Sequence, residues 1–297
     1  MSGSIEYGVC LTNYGDVTSR EASVGTAALA EQLGYSSVWV SDHILVPDEF
    51  GSVYGPSFLD PFVCLAYAAA ETDRVKLGTT VVVVPLRSPF AQAKMLSTLD
   101  VLSKGRLIFG IGSGWDRQEF EALNVPFEQR GAMTDEYMDI MLNLWTEAQP
   151  SYDGRYHSFQ GAAFEPKPVQ RPIPIWVGGH SEPVLRRAAR IGQAWHPSEI
   201  PPAEIAKKYD FIREMSATPP LLTYRMYLRP TDIDPTPMRS SQPSFEGYRD
   251  EIVEYIESYI RTVPIAHLVL EFVVENAGDL RNSFVYMAEE VLPRLRS

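Results

Sequence analysis

Eight short apolar runs, each closed by a turn signal and followed by a stretch of helical period, recur along the whole chain. They cover Ile5 to Leu11, Ser37 to Ser41, Val75 to Pro85, Leu107 to Gly112, Ile173 to Gly178, Ala194 to Pro197, Leu222 to Leu228 and His267 to Val273. Strand and helix in alternation demand a parallel sheet, because each helix returns the chain to the end where the last strand began. Eight such units are the count of a (β/α)8 TIM-type barrel, whereas a doubly wound sheet stops at about five to seven strands. The expected fold class is therefore α/β, with one barrel domain over residues 1–297.

The segments between the runs fit this reading. Ser23 to Leu33 ends at Gly34, a residue suited to the C′ position of a helix, and Ala91 to Leu102 runs into Ser-Lys-Gly. Thr134 to Thr146 places Tyr137, Met138, Met141, Leu142 and Trp145 at core-facing spacing. Between the fourth and fifth strands, residues 147–171 exceed what a βα loop needs and carry a hairpin signal at Asp153-Gly154. An insertion is expected there, lying over one mouth of the barrel. Irregular stretches, Pro47 to Pro61 and Pro230 to Pro243, follow the second and seventh strands, on the face where barrels build active sites.

Charge narrows the partners. With 38 acidic against 26 basic side chains the net charge is -12, which repels nucleic acid and anionic lipid. No stretch approaches the roughly 20 apolar residues of a membrane span. The expected partner is a small-molecule substrate, with no nucleic acid and no membrane. Cys10 and Cys64 both lie in apolar runs and read as buried thiols of a reducing compartment. Residues 1–6 lack the basic and apolar regions of a signal peptide, so the expected location is cytoplasmic.

Three constellations can carry chemistry. Ser41-Asp42-His43 closes the second strand, where a histidine can exchange a proton near neutral pH and a neighbouring carboxylate can orient it. The bland alternative makes Asp42 a turn cap and His43 an exposed loop residue. Gly78-Thr79-Thr80-Val81 opens a run of β-branched residues; it reads as a bulge that brings backbone toward a flat ligand, or as a plain buried strand. Two glycine-rich strand-to-helix loops, Gly110-Ile-Gly112-Ser113-Gly114-Trp115 and Gly178-Gly179-His180-Ser181-Glu182-Pro183, can offer backbone amides to a phosphate or carboxylate, or can be ordinary βα turns. The first has G-x-G-x-G spacing, which is not the dinucleotide fingerprint. The five histidines, His43, His157, His180, His196 and His267, lack metal-ligand spacing, so no metal site is expected. Neither a P-loop nor a G-x-S-x-G elbow occurs.

In order along the chain, Glu31-Gln-Leu-Gly-Tyr-Ser-Ser-Val-Trp-Val-Ser-Asp-His43, Val75-Lys-Leu-Gly-Thr-Thr-Val81, Pro85-Leu-Arg-Ser-Pro89, Thr98-Leu-Asp-Val-Leu-Ser-Lys-Gly-Arg106, Gly110-Ile-Gly-Ser-Gly-Trp115 and Trp176-Val-Gly-Gly-His-Ser181 resemble the luciferase-like monooxygenase superfamily. Within it they resemble the subgroup of coenzyme F420-dependent oxidoreductases, over about Ile5 to Trp195. The resemblance implies a TIM-type barrel that binds a deazaflavin or flavin at the strand ends. It implies a bulge with a non-prolyl cis peptide at Thr80-Val81 under the ring, following Thr79. It implies cofactor contacts from Gly112, Ser113, Gly114 and Gln118, from Gly178, Gly179, His180 and Ser181, and from Asp42. His43 matches the family's acid/base. Where sugar-phosphate dehydrogenases of this kind carry a catalytic Glu after the fourth-strand glycines, this chain has Trp115, and the relatives' Gly-Asp-Gly-Trp reads Gly192-Gln-Ala-Trp195 here.

The expected function is therefore F420-dependent hydride transfer to or from a small organic substrate. The alternatives are an FMN-dependent luciferase-like monooxygenase and a non-catalytic cofactor-binding protein. Relatives pair through barrel helices, which implies a homodimer. Arg87, Lys94, Arg106, Arg117, Arg186 and Arg187 are the cations expected near the cofactor loops, and Tyr54, Tyr152, Tyr224, Arg225, Tyr227 and Glu271 are candidates to line a substrate pocket.

Overall fold

The computed structural model describes residues 4–15, 17–47, 55, 57–236 and 244–295. Its strands are β1 (Glu6–Cys10), β2 (Ser37–Val40), β3 (Lys76–Thr79), β4 (Val82–Val83), β5 (Leu107–Gly112), β6 (Tyr152–Asp153), β7 (Ser158–Phe159), β8 (Ile175–Gly178), β9 (Ala194–His196), β10 (Leu221–Pro230), β11 (Phe245–Gly247) and β12 (Ile265–Phe272). β1, β2, β3, β5, β8, β9, β10 and β12 pair in parallel in chain order, and β12 pairs back with β1. This is the expected closed barrel of eight parallel strands. β11 adds a short parallel strand beside the end of β10, where no strand was expected.

The helices are α1 (Arg20–Ser23), α2 (Gly25–Gln32), α3 (Pro61–Glu71), α4 (Pro89–Leu102), α5 (Arg117–Ala122), α6 (Arg130–Thr146), α7 (Glu182–Ile191), α8 (Pro202–Met215), α9 (Arg249–Thr262) and α10 (Ala277–Tyr286). The expected first helix is two, broken at Val24, whose φ of −136° lies outside the helical region. None of the described helices is long and apolar enough to cross a membrane.

Aromatic side chains plug the barrel's interior. Trp39 of β2 is fully buried, with its ring 4.6 Å from Trp176 of β8 and 5.5 Å from His196 of β9. Gly78 exists for this indole: a Cβ there would sit 2.1 Å from Trp39 Cε3. On the other side His267 of β12 hydrogen-bonds Ser37 Oγ at 2.8 Å, and the same hydroxyl accepts from Trp39 Nε1 at 2.7 Å.

The third strand departs from its expected course. Val75 to Pro85 is not continuous: it breaks at Thr80-Val81, a cis peptide, resumes as β4, and then turns through a 3-10 segment at Val84–Leu86. Beside the break β3 crowds β5 so closely that a Cβ on Gly110 would lie 1.8 Å from the Thr79 carbonyl oxygen. Thr79 Oγ1 accepts from Gly110 N at 2.9 Å and donates to Gly110 O at 2.8 Å, standing in for the interrupted ladder.

The expected insertion carries the β6–β7 hairpin. The amides of Arg155, Tyr156 and His157 donate to the Glu136 carboxylate of α6, and Phe90 of α4 packs edge-on against His157 and Phe159. The hairpin is fastened to the outer helix layer.

Candidate active site at the strand ends

A buried network joins the C-terminal ends of five strands. Arg225 of β10 donates to the Thr80 carbonyl at 2.6 Å and to Ser41 Oγ at 2.8 Å, and pairs with Glu271 of β12. Glu271 also accepts from the Tyr14 hydroxyl. Burial works against the Arg225 cation, but Glu271 outweighs it and holds the guanidinium well above its usual range. Beneath lies His196, with Nε2 3.1 Å from Thr80 Oγ1 and Nδ1 2.8 Å from Thr223 Oγ1. Burial, and then the nearby Arg225 charge, push this imidazole well below its ordinary range, so it is neutral near pH 7.

These contacts fix Thr80 and leave the next residue, Val81, half-exposed at the centre of the rim. A Cβ on Gly112 would meet Val81 Cγ2 at 2.7 Å, and one on Gly178 would meet Val81 Cγ1 at 2.8 Å. Two of the expected cofactor glycines therefore make room for Val81. The result is an apolar platform bordered by backbone, which fits the face of a planar ring such as a flavin or deazaflavin.

His43 follows the end of β2. Its Nδ1 is 3.0 Å from Glu119 Oε2, and its ring meets Phe58 and Trp115 edge-on at centroid distances of 5.3 and 5.6 Å. Glu119 Oε1 accepts from the amides of Ile44 at 2.6 Å and Leu45 at 3.1 Å. Burial raises the Glu119 carboxyl, but the His43 hydrogen bond and charge, with those two amides, outweigh it and leave the group below the usual range. Asp116 caps α5 through Oδ1, accepting from Gln118 N at 2.9 Å, while its buried Oδ2 has no hydrogen-bond partner. One donor atom each from His43, Asp116 and Glu119 lies within 4.8 Å of the others, a composition able to hold a cation that the histidine spacing did not reveal.

The other expected site residues divide by position. Asp42 is buried and bidentate to Arg87 at 2.7 Å, and accepts from Val83 N at 3.0 Å; it anchors β4 from below the rim. The side chains of Thr79 and Thr80 are likewise buried and committed to Gly110 and His196. Gly112, Ser113 and Gly114 are half-exposed, while Gln118, Gly179, His180 and Ser181 are exposed. Ser113 Oγ accepts from Arg187 at 3.1 Å. Ser181 is the N-cap of α7 but makes no side-chain cap bond.

The cations expected near the cofactor loops are engaged. Arg187 pairs with Asp135, Arg117 with Glu128, Arg186 with Glu182, and Lys94 binds the Glu165 carbonyl. Arg106 lies at the opposite end, preceding β5, where it caps α3 by donating to the carbonyls of Ala69 and Thr72. Lys208, unanticipated from sequence, reaches the loop by donating to the His180 carbonyl at 2.9 Å. Among the pocket candidates, Arg225 and Glu271 are at the mouth and Tyr227 lies under Arg225 at 4.8 Å. Tyr152 is in the outer hairpin and Tyr224 is core, bonded to Ile200 O. Tyr54 is outside the described residues. Glu119 and Tyr14 are the mouth residues that sequence reasoning missed.

Comparison with known proteins agrees with this geometry. The family model described as Luciferase-like monooxygenase matches residues 6–289. The uncharacterized protein Rv0953c of Mycobacterium tuberculosis is 34% identical over 182 residues, covering 57% of this chain and 64% of that one. An F420-dependent glucose-6-phosphate dehydrogenase of Kineococcus radiotolerans is 36% identical over 173 residues, covering 57% and 50%. The match thus spans less than two thirds of either relative. Among solved structures, monooxygenase RslO1 from Streptomyces bottropensis superposes with a TM-score of 0.83 at 23% identity, covering 98% of this chain and 100% of that one. An F420-dependent secondary alcohol dehydrogenase superposes at 0.81 with 17% identity, covering 99% and 100%.

Proposed function

The chain belongs to the luciferase-like monooxygenase family, and we propose that within it the protein is a coenzyme F420-dependent oxidoreductase acting on a small organic substrate. The observation that carries this reading is His43 held by Glu119 at the end of β2, its ring edge-on to Trp115 of the same glycine loop whose Gly112 makes room for Val81. The 36% identity to the Kineococcus radiotolerans dehydrogenase supports the choice of cofactor. When bound, the deazaflavin supplies a two-electron hydride carrier, chemistry that no side chain offers.

The chain's own residues do the rest. Val81 and the backbone of Gly112 to Gly114 receive the ring, with Arg225 and Ser41 holding Thr80 so that the platform does not shift. The exposed loop Gly179 to Ser181, with Lys208 on its flank and the α7 amides behind it, receives the anionic tail. His43 exchanges the proton that accompanies the hydride, giving it to an oxygen that becomes a hydroxyl or taking it from a hydroxyl that becomes a carbonyl. Phe58 and Trp115 keep the approach to that imidazole apolar. Asp42 serves through Arg87 and Val83, supporting β4. The buried free thiols Cys10 and Cys64 suit a reducing cytoplasm.

A turnover screen tests the reading. Purified protein is mixed anaerobically with oxidised or reduced F420 and a panel of secondary alcohols and carbonyl compounds, and the deazaflavin absorbance is followed. F420-linked turnover is the expected result. Turnover seen only with reduced FMN and oxygen would establish the monooxygenase alternative instead.

A further inference from the structure

We propose that Glu119 is the positioning residue of His43, setting which imidazole nitrogen carries the proton; this rests on the reading of His43 as the proton-exchanging group. The Glu119 side chain is 1% exposed, and both of its oxygens are occupied. Oε1 accepts the amides of Ile44 and Leu45, and Oε2 faces His43 Nδ1. An ionised carboxylate only accepts hydrogen bonds, so the nitrogen 3.0 Å away must carry the hydrogen. In the neutral ring the hydrogen is therefore on Nδ1, which makes Nε2 the basic nitrogen.

The imidazole also makes edge contacts with Phe58 and Trp115.

Glutamine at this position makes a sharp test. In Glu119→Gln the side-chain oxygen stays on the Ile44 and Leu45 amides, since those donors accept no substitute. Its NH2 then faces Nδ1, which must accept, and the proton moves to Nε2. The experiment is long-range nitrogen–proton NMR on the full chain with labelled histidine and without cofactor, and His43→Asn assigns the His43 signals among the five histidines. The expected result is protonated Nδ1 in the natural protein and protonated Nε2 in E119Q, with similar melting temperatures. With an identified substrate, kcat of E119Q falls about 10²-fold or more while KM and cofactor affinity stay within a few-fold. A natural protein protonated on Nε2, an E119Q tautomer unchanged, or an unchanged kcat overturns the proposal. The natural protein's tautomer needs no variant and no cofactor, so it is read separately from the F420 assignment, and an FMN-binding outcome leaves it standing.

Discussion

A single methyl group probes the barrel's interior at Gly78. A Cβ there would lie 2.1 Å from the Trp39 indole, which is itself walled in by Trp176 and His196. Gly78→Ala is expected to cost about 1–3 kcal/mol through overpacking. Trp39→Phe alone leaves a cavity, yet paired with Gly78→Ala it relieves the clash, so the two effects measured by denaturant unfolding should be strongly non-additive. Simple additivity would show that the indole does not fill the space claimed for it. At the rim, His43→Ala is expected to lower kcat by roughly 10² to 10⁴ and leave cofactor affinity within about tenfold, because backbone and Val81 do most of the binding. An equal loss in affinity, measured by cofactor fluorescence, would make His43 a binding residue.

Among the elements, those that follow from local pattern were legible in the sequence. β5 has its expected bounds, and the other barrel strands differ at their ends by a few residues, because an apolar run between turn signals defines a buried strand by itself. The break between β3 and β4 was one of two readings from residues alone, a bulge or a plain strand, and the cis peptide at Thr80-Val81 was expected only through family resemblance. From residues alone Val82 to Pro85 reads as more strand, and the contact that holds Thr80 comes from Arg225, 145 positions away. Glu119 was invisible for the same reason. On a short helix it looks like any solvated acid, and its partner His43 is 76 positions earlier. Gly112 and Gly178 were noticed, but their nearest occupant is Val81, a neighbour that spacing does not disclose.

Also at this scale, β9 and β12 carry buried histidines whose pKa values are lowered, His196 and His267 alike chiefly by desolvation. The sign is fixed: below about pH 6.5 the unfolded chain binds protons that the folded chain refuses, so stability falls as pH falls, by up to about 1.4 kcal/mol per pH unit for each group. At lower pH, Glu6 adds to the loss. Its carboxyl is held at about 2, chiefly by the His267 hydrogen bond, so its contribution is present above about 4.5 and disappears as pH drops toward 2. Melting temperatures should decline from pH 7 to 5, less steeply in His196→Gln. A flat profile over that range would show that these rings are not buried as neutral groups.

For the whole molecule, two neighbouring outer helices carry exposed apolar side chains. Val63 and Tyr67 lie one turn apart on α3 at 66% and 46% exposure, and Met95 and Leu102 lie two turns apart on neighbouring α4 at 38% and 68%. We propose this face as the homodimer contact. Light scattering should give about twice 33.3 kDa, and Val63→Glu with Leu102→Glu should give the single-chain mass with the fold retained. A single-chain mass for the natural protein at micromolar concentration would remove the dimer. The other property of the whole chain, its charge of -12, bears on the proposed cofactor: the described cations near the glycine loops, Lys208 with Glu204 and the His180 carbonyl among them, are engaged by acids or carbonyls, so an anionic tail would rest chiefly on backbone amides. Side-by-side equilibrium titration of the apoprotein with F420 and with FMN, followed by fluorescence, tests the central claim most directly. Tighter binding of F420, weakened by added salt as its charged tail is screened, is the predicted result; FMN binding as well as F420 or better would contradict it.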